Sequence, residues 1–476
     1  MNKLGISFRT WINKQEVMGT TFEWLDPFHA RIRPDRLPAY VTFMPARDGN
    51  EVVELRIQRS PQARPSFLVH LVLNDEWRAH ALFREMAHAL EVESKRGPIP
   101  VLVCHPDDEP RDRLAAFVSA LSMVERTLSL AFEFRTASVC EALADHSPYA
   151  AIMLTPSASA HQREVHKAHE EAVVFCLPAA SSAPGDATRA LRLMLEALGE
   201  IDVLAPEIHL APRTRTPLGR HKVLLLNVMY CDRCVRMGWR VYQGMRRITS
   251  GKITKSTLRM EDIEDLMSTL YLYGVDASEL DGIAILVPGV VNFCSTNLPS
   301  LGDRDQCVHD KLVERYGIPV LIENNTNAAA MGCYLLQDEY ENISLYRHQL
   351  GHKNGGQGTV MDGRLVAGRY GMAGEPKFYQ HRFSYEQCFS DLVWTERGLR
   401  SICQNVLLAT VGTIEPDALY VAVSTMDDIA PLREELERAL PKYCMPDLHM
   451  VSDYRERMYL GGAALCEQLI ERKRRR

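Results

Sequence analysis

The chain has 476 residues, 46% of them apolar and 24% charged, with a formal net charge of −6. That is ordinary globular composition over a length that holds about three domains, so whole-chain disorder, collagen and coiled coil are excluded. No long stretch of the chain is strongly basic, which argues against a module that holds DNA through its phosphates.

The opening residues, MNKLGISFRTWINKQE, contain no apolar core of a secretory signal. Gly282–Gly302 is a long uncharged stretch, but Pro288 and Pro299 interrupt it, so no membrane span is expected. Twelve scattered cysteines lack the regular spacing of a disulfide framework and read as reduced thiols, which implies a cytoplasmic protein.

Residues 1–96 read as a small α+β domain. Tyr40–Met44, Val52–Gln58 and Phe67–Leu73 have strand composition. Asp75 is placed to cap a helix reaching about Leu90, with Ala79, Leu82, Met86 and Leu90 on one face. No helix-turn-helix pattern stands out.

Residues 97–205 alternate strand and helix. Strands are expected at Val101–Cys104, Leu130–Phe134, Ala150–Leu154 and Val173–Leu177, and helices at Asp112–Leu128, Ala137–Ala144, Ala160–Glu170 and Asp186–Leu198. Such repetition predicts a parallel α/β domain covered on both faces. Its order resembles the IIB domain of lactose/cellobiose-type sugar phosphotransferase systems, where a Cys ending the first strand carries phosphate. The matching residue is Cys104. Asp107, Asp108 and Glu109 follow it, between Pro106 and Pro110. Carboxylates repel phosphate and prolines remove backbone donors, so a buried thiol without that role is expected.

Residues 206–220, with Pro206, Pro212 and Pro217 and no apolar period, read as a linker. Beyond it, Lys222–Val228 and Val235–Gln243 read as a hairpin, Met260–Leu272 as a helix and Ile283–Val287 as a buried strand. Val308–Tyr316 is helical, and Val320–Ile322 is a short strand running into Glu323-Asn324-Asn325. The basic run Arg472–Arg476 suits the end of a C-terminal helix, where cations favour the dipole.

Several short motifs follow in fixed order: Gly282–Gly289 (GIAILVPG), Thr296–Pro299 (TNLP), Glu323–Ala330 (ENNTNAAA), Gly356–Thr359 (GQGT), Asp362–Leu365 (DGRL), Gly371–Glu375 (GMAGE), Glu415–Asp417 (EPD) and Leu460–Ala464 (LGGAA). In this order and spacing residues 221–476 resemble the ROK family of sugar kinases and repressors. The resemblance implies an α/β fold: a ribonuclease-H-like, actin/hexokinase-type two-lobed domain, preceded here by the parallel α/β and small α+β domains.

The resemblance also implies where chemistry should sit. The family's catalytic Asp falls at Asn325, and an amide cannot take a proton at neutral pH. Its first phosphate loop, Asp-x-Gly-Gly-Thr, falls at Asn227-Val228-Met229-Tyr230-Cys231, and the glycine pair near the adenosine falls at about Ser424-Thr425. Only Gly355–Thr359 still reads as a tight turn near phosphate, which leaves Gly356, Gly358 and Thr359 as a phosphate-loop remnant. The zinc-binding His of the family falls at Phe378. Its Cys run is missing, with only His381 and Cys388 nearby, so no zinc is expected. Cys231 and Cys234 read as strand-turn thiols. Asn297, Asn324 and Glu375 match residues that hold sugar hydroxyls.

The reading is a non-catalytic, carbohydrate-sensing or regulatory ROK-like protein with no ATP, magnesium or zinc as cofactor. Its implied partners are a sugar or sugar phosphate, a phosphotransferase-system or other regulatory protein, and a second copy of the chain, with no role assigned to nucleic acid. An active ATP-dependent sugar kinase and a ROK-type transcriptional repressor stay open as alternatives.

Overall fold

The computed structural model describes residues 3–33, 37–45, 50–61, 63–108, 111–128, 130–178, 183–199, 219–231, 234–244, 246–291 and 308–475. Most of the expected linker (206–218), the loop carrying Asn297, and Glu109 lie outside them. No described helix is long and apolar enough to cross a membrane.

The chain begins with helix α1 (Lys3–Ile12) and a small hairpin of β1 (Glu16–Val17) and β2 (Thr20–Thr21). Strands β3 (Glu23–Asp26), β4 (His29–Ile32), β5 (Ala39–Pro45), β6 (Glu51–Ile57) and β7 (Phe67–Val72) follow as an antiparallel run, and α2 (Glu76–Ser94) covers it. Asp75 caps α2 by accepting from the Trp77 amide, and Ala79, Leu82, Phe83, Met86 and Leu90 are its buried residues. The sequence shows β5 to β7 and α2. It does not show α1 or β3 and β4, which are short and mostly exposed on β3.

The parallel domain contains β8 (Ile99–His105), α3 (Arg111–Leu128), β9 (Phe132–Ser138), α4 (Val139–Ala144), β10 (Ala151–Leu154), α5 (Gln162–Ala168), β11 (Val173–Cys176) and α6 (Ala187–Ala197). Its sheet runs β11-β10-β8-β9, all parallel. Helix α4 starts at a capping box between Ser138 and Glu141, so β9 runs four residues past its expected end at Phe134 and the helix expected from Ala137 starts two residues later.

Two lobes follow with one topology. The first has β12 (Lys222–Tyr230), β13 (Val235–Gln243), β14 (Arg246–Lys255), α7 (Met260–Thr269), β15 (Gly282–Val287), α8 (Val308–Tyr316) and β16 (Val320–Asn324). Helix α9 (Asn325–Leu335) leads to the second: β17 (Asn342–His348), β18 (Gly356–Met361), β19 (Arg364–Leu365), α10 (Phe389–Leu392), α11 (Glu396–Ile414), β20 (Ala418–Val423), α12 (Ala430–Ala439), β21 (Asp447–Met450) and α13 (Tyr454–Arg474). In each lobe an antiparallel three-strand meander is joined, beside its first strand, by two parallel strands, giving β16-β15-β12-β13-β14 and β19-β18-β17-β20-β21.

Each lobe carries one of the preceding units. The N-terminal strands extend the first lobe into a ten-stranded sheet through the β14–β7 pairing at Thr254 and Leu68. The apolar faces of both units share one core. Arg78 on α2 donates to Asp262 at 2.6 Å and to Asp265 at 2.8 Å, both on α7. The parallel domain instead shares a core with the second lobe, where Leu191 and Met194 of α6 pack with Leu350, Val423 and Met426. Sequence periodicity marks these segments as separate chain units; it carries no information about which lobe each one covers.

Helices α9 and α13 cross between the lobes. A Cβ at Gly461 would lie 1.9 Å from the Ala328 carbonyl oxygen, and one at Gly332 would lie 2.0 Å from that of Arg457. The LGGAA motif is therefore a close helix crossing rather than a ligand loop.

Candidate functional site

The ends of β12, β15 and β16, the start of α9, the turn after β17 and the start of α13 enclose a cleft of about 390 Å³. It lies between the lobes, at the carboxyl ends of the parallel strands, where an α/β sheet opens to ligands. Asn227, Met229, Tyr230, Asn324, Asn325 and Glu375 line it.

Asn227, at 2% exposure, is fixed by two acceptors. Its Nδ2 donates to the Leu286 carbonyl oxygen at 3.2 Å and to Asn325 Oδ1 at 3.1 Å. The backbone acceptor settles which end of the Asn227 amide faces Asn325. Two amides thus meet where the family resemblance calls for two carboxylates, one to steer metal and one to take the sugar proton.

Asn324 ends β16 and caps α9. Its Oδ1 accepts from the amides of Thr326 at 2.7 Å and Asn327 at 3.3 Å. Its Nδ2 donates to the Gly289 carbonyl oxygen at 2.6 Å and to Glu375 Oε1 at 3.3 Å. The residue that the sequence offers for a sugar hydroxyl therefore also ties the start of α9 to Gly289 and Glu375. Glu375 is largely buried, and this burial raises its carboxyl pKa against the opposing pull of Lys377, whose Nζ lies 3.7 Å away.

The second-lobe wall contains Arg347, Gln349, His352, Asn354, Gly355 and Gly356. Behind it His348 is buried, with Nδ1 2.7 Å from the Tyr346 hydroxyl and Nε2 2.8 Å from the His352 carbonyl oxygen. A carbonyl can only accept, so Nε2 carries the proton and Nδ1 accepts from the tyrosine. Burial lowers the pKa of both His348 and His352 to about 4. Tyr454 and Arg455, in the first turn of α13, complete the wall, and the Arg347 guanidinium stacks 3.9 Å over the Tyr454 ring.

The expected phosphate turn at Gly355–Thr359 is instead strand β18. Gly356 touches the cleft, whereas Gly358 and Thr359 do not line it. A Cβ at Gly358 would lie 2.6 Å from the Thr326 carbonyl oxygen, so this glycine lets α9 rest on β18. The Thr359 hydroxyl lies 2.8 Å from that of Ser344 inside the sheet. Gly358 and Thr359 thus sit at packing positions, and Gly356 reaches the cleft. Asn297 lies outside the described residues.

Phe378, His381 and Cys388 are all exposed. Among the described residues no three His, Cys, Asp or Glu side chains are grouped as metal ligands. In the parallel domain Cys104 is fully buried; burial, then Asp107 and Glu141, push its thiol up to about 12. Asp107 also accepts from Cys140 Sγ at 3.0 Å. The cationic wall residues Arg347, Lys377 and Arg455 escape the sequence reading, because isolated charges at a strand end, a turn and a helix start form no linear pattern.

The doubled five-strand topology around an interlobe cleft defines the class, a two-lobed protein of the actin/hexokinase type. Within it, residues 245–390 match the model of the ROK family. A ROK hexokinase from Thermus thermophilus is 18% identical, with a TM-score of 0.41 over 53% of this chain and 99% of its own. A ROK family protein from Streptococcus pneumoniae, solved with sucrose, gives 18% identity and a TM-score of 0.41 over 53% and 99%. A ROK family transcriptional regulator, a homologue of the E. coli MLC protein, gives 17% and 0.40 over 61% and 91%. No curated protein matches the chain.

Proposed function

We propose that the chain is a non-catalytic, carbohydrate-sensing ROK-like protein whose cleft binds a sugar or sugar phosphate without phosphorylating it. The observation that carries this reading is the Asn227–Asn325 amide pair. A hydroxyl nucleophile needs a base, and a metal–nucleotide needs oxygen ligands; neither amide supplies a proton acceptor at neutral pH. The side chains of Met229 and Tyr230 stand where glycines would let backbone amides approach phosphate.

A second observation concerns the adenosine end. Ser424-Thr425 follows β20, and the parallel domain holds this segment. Arg189 of α6 donates to the Thr425 carbonyl oxygen at 3.2 Å and pairs with Asp427. Glu196, near the end of the same helix, bonds Gln349 and Ser424. A ligand that moves the Arg347–Gln349 wall would thereby reach the parallel domain, a route by which binding shifts a two-state equilibrium. A phosphotransferase-type or other regulatory partner would read that shift from the parallel domain. All ten described cysteines are free thiols, which suits a cytoplasmic setting.

The test is a thermal-shift series on the full chain with neutral sugars, their 6-phosphates and Mg·ATP. A ligand at about 100-fold its dissociation constant adds about 2.7 kcal/mol. Stabilisation by a carbohydrate with none from Mg·ATP supports sensing. Stabilisation by Mg·ATP together with sugar turnover supports the kinase alternative, and salt-dependent binding of duplex DNA supports the repressor alternative.

A further inference from the structure

The two outer strands of the parallel sheet end differently. Strand β11 is closed by the second lobe, where the Cys176 amide donates to the Trp394 carbonyl oxygen at 3.1 Å. Strand β9 pairs with β8 alone. At 7 residues it is the longest edge strand among the described residues, and its register with β8 runs without a bulge. Edge strands that avoid partners are short, bulged or covered. Strand β3, at the edge of the ten-stranded sheet, shows the contrast, with 4 residues and a register shift between Trp24 and Asp26.

The ladder with β8 fixes the direction of the β9 backbone. The Ala131 carbonyl oxygen accepts from the Ile99 amide at 2.8 Å, so alternation turns the N–H and C=O groups of Glu133, Arg135 and Ala137 towards β8. Those of Phe132, Phe134 and Thr136 face away from the sheet. Glu125 takes the Phe132 amide at 3.3 Å. Among the described residues no strand meets the Phe132 carbonyl or either group of Phe134 and Thr136.

The side chains divide by face. Phe132 and Phe134 pack against the core shared with the second lobe. Glu133 and Arg135 are exposed on the opposite face, with Arg135 Nη2 3.0 Å from Glu133 Oε1.

This order is self-complementary. Opposed residues of an antiparallel pair share both face and hydrogen-bonding direction, so a two-fold axis between identical strands falls on a residue. An axis at Phe134 sets Glu133 against the partner's Arg135, and Arg135 against the partner's Glu133. An axis at Glu133 or Arg135 would oppose like charges, and one at Phe132 or Thr136 would set a charge against Ala131 or Ala137. The antiparallel complement of Glu-x-Arg is Glu-x-Arg itself, so the occupant that fits this edge is a second copy of the chain.

We propose that β9 is a self-association edge, through which two copies of the chain pair antiparallel about a two-fold axis at Phe134 and join their four-stranded sheets into one. The Phe134 amide donates to the partner's Phe134 carbonyl oxygen, and the Thr136 amide to the partner's Phe132 carbonyl oxygen, each twice by symmetry. The surface lies outside the interlobe cleft and does not depend on what that cleft binds.

The experiment is sedimentation velocity of the full chain over a range of micromolar concentrations. A particle of twice 53.8 kDa is expected. Glu133→Arg and Arg135→Glu, each alone, oppose like charges across the axis and should weaken the dimer about tenfold or more. An equimolar mixture of these two variants should dimerise again, because each reversed copy then faces opposite charges. Thr136→Pro removes an amide that faces away from β8, so it should weaken the dimer while leaving the ladder within the chain intact. Circular dichroism of each variant separates lost pairing from lost folding, and should one charge reversal fail to fold, Thr136→Pro and the double variant Glu133→Arg with Arg135→Glu, which should pair, decide the matter. A wild-type chain that stays monomeric throughout would overturn the proposal and leave the edge to another protein. A dimer indifferent to both charge reversals, or reversed variants that stay apart when mixed, would also overturn it by placing the contact elsewhere.

Discussion

Asn227 and Asn325 come from different elements, 98 residues apart, and their side-chain amides meet at 3.1 Å on the floor of the interlobe cleft. The Leu286 carbonyl oxygen holds Asn227 in the donor orientation, so the contact is an ordered pair of neutral groups. On the proposed reading, such a pair gives a sugar hydroxyl no proton acceptor. Asn325→Asp alone should therefore produce little or no sugar phosphorylation, measured by coupled assay. Losing a base typically costs about 10²–10⁴ in rate, but the neighbouring end of β12 would still present Asn227, Met229 and Tyr230 to the nucleotide.

The buried His348 and the half-buried His352 should make the protein sensitive to mild acid. Both pKa values are lowered to about 4 by burial, below the ordinary histidine value of 6.5. Between those values the unfolded chain binds protons that the native protein refuses, so stability falls as pH drops from about 6.5 towards 4. Each histidine contributes a slope of up to about 1.4 kcal/mol per pH unit. His352→Gln should flatten the pH dependence of the melting temperature across that window; an unchanged slope would show that His352 titrates normally.

Much of the architecture is legible because burial imposes a period on the sequence. The strand Gly282–Val287 is apolar throughout since it is covered on both faces, and the hairpin partner Val235–Gln243 coincides with the expected segment. By contrast β14 reads RRITSGKITK, with little apolar content until its last residues, and pattern alone does not identify it. Gly358 shows the limit at the site: a glycine required by a loop and one required by a helix lying on a strand look identical in sequence. The cationic residues of the wall are invisible for a related reason, since Arg347, Lys377 and Arg455 converge only through tertiary contacts.

Gly461 tests the helix crossing. Gly461→Ala would place a methyl 1.9 Å from the Ala328 carbonyl oxygen, and neither helix can yield without shifting the lobe it carries. Overpacking of this kind costs about 1–3 kcal/mol, so the midpoint of chemical unfolding should fall accordingly. Gly412→Ala, where no atom lies within 4 Å of the added carbon, serves as the control and should not destabilise.

Thiol reactivity should separate the cysteines by environment. Cys388 is exposed and its pKa is lowered by hydrogen bonds from Ser390, whereas burial raises Cys104 to about 12 and Cys333 to about 11. Since the thiolate is the nucleophile, native alkylation followed by peptide mass spectrometry should label Cys388 early and Cys104 only after unfolding. For the same reason Cys104 should accept no radiolabelled phosphate from a phosphotransferase chain. Labelling that vanishes in Cys104→Ser would restore a phosphocarrier role to the parallel domain.

The most direct measurement is steady-state ATP consumption by the purified full chain with magnesium and a panel of neutral sugars. No sugar-dependent turnover is expected, because the Asn227–Asn325 pair offers no base for a sugar hydroxyl. A rate near ~1 s⁻¹ with any sugar, within the ordinary kinase range, would contradict a non-catalytic cleft.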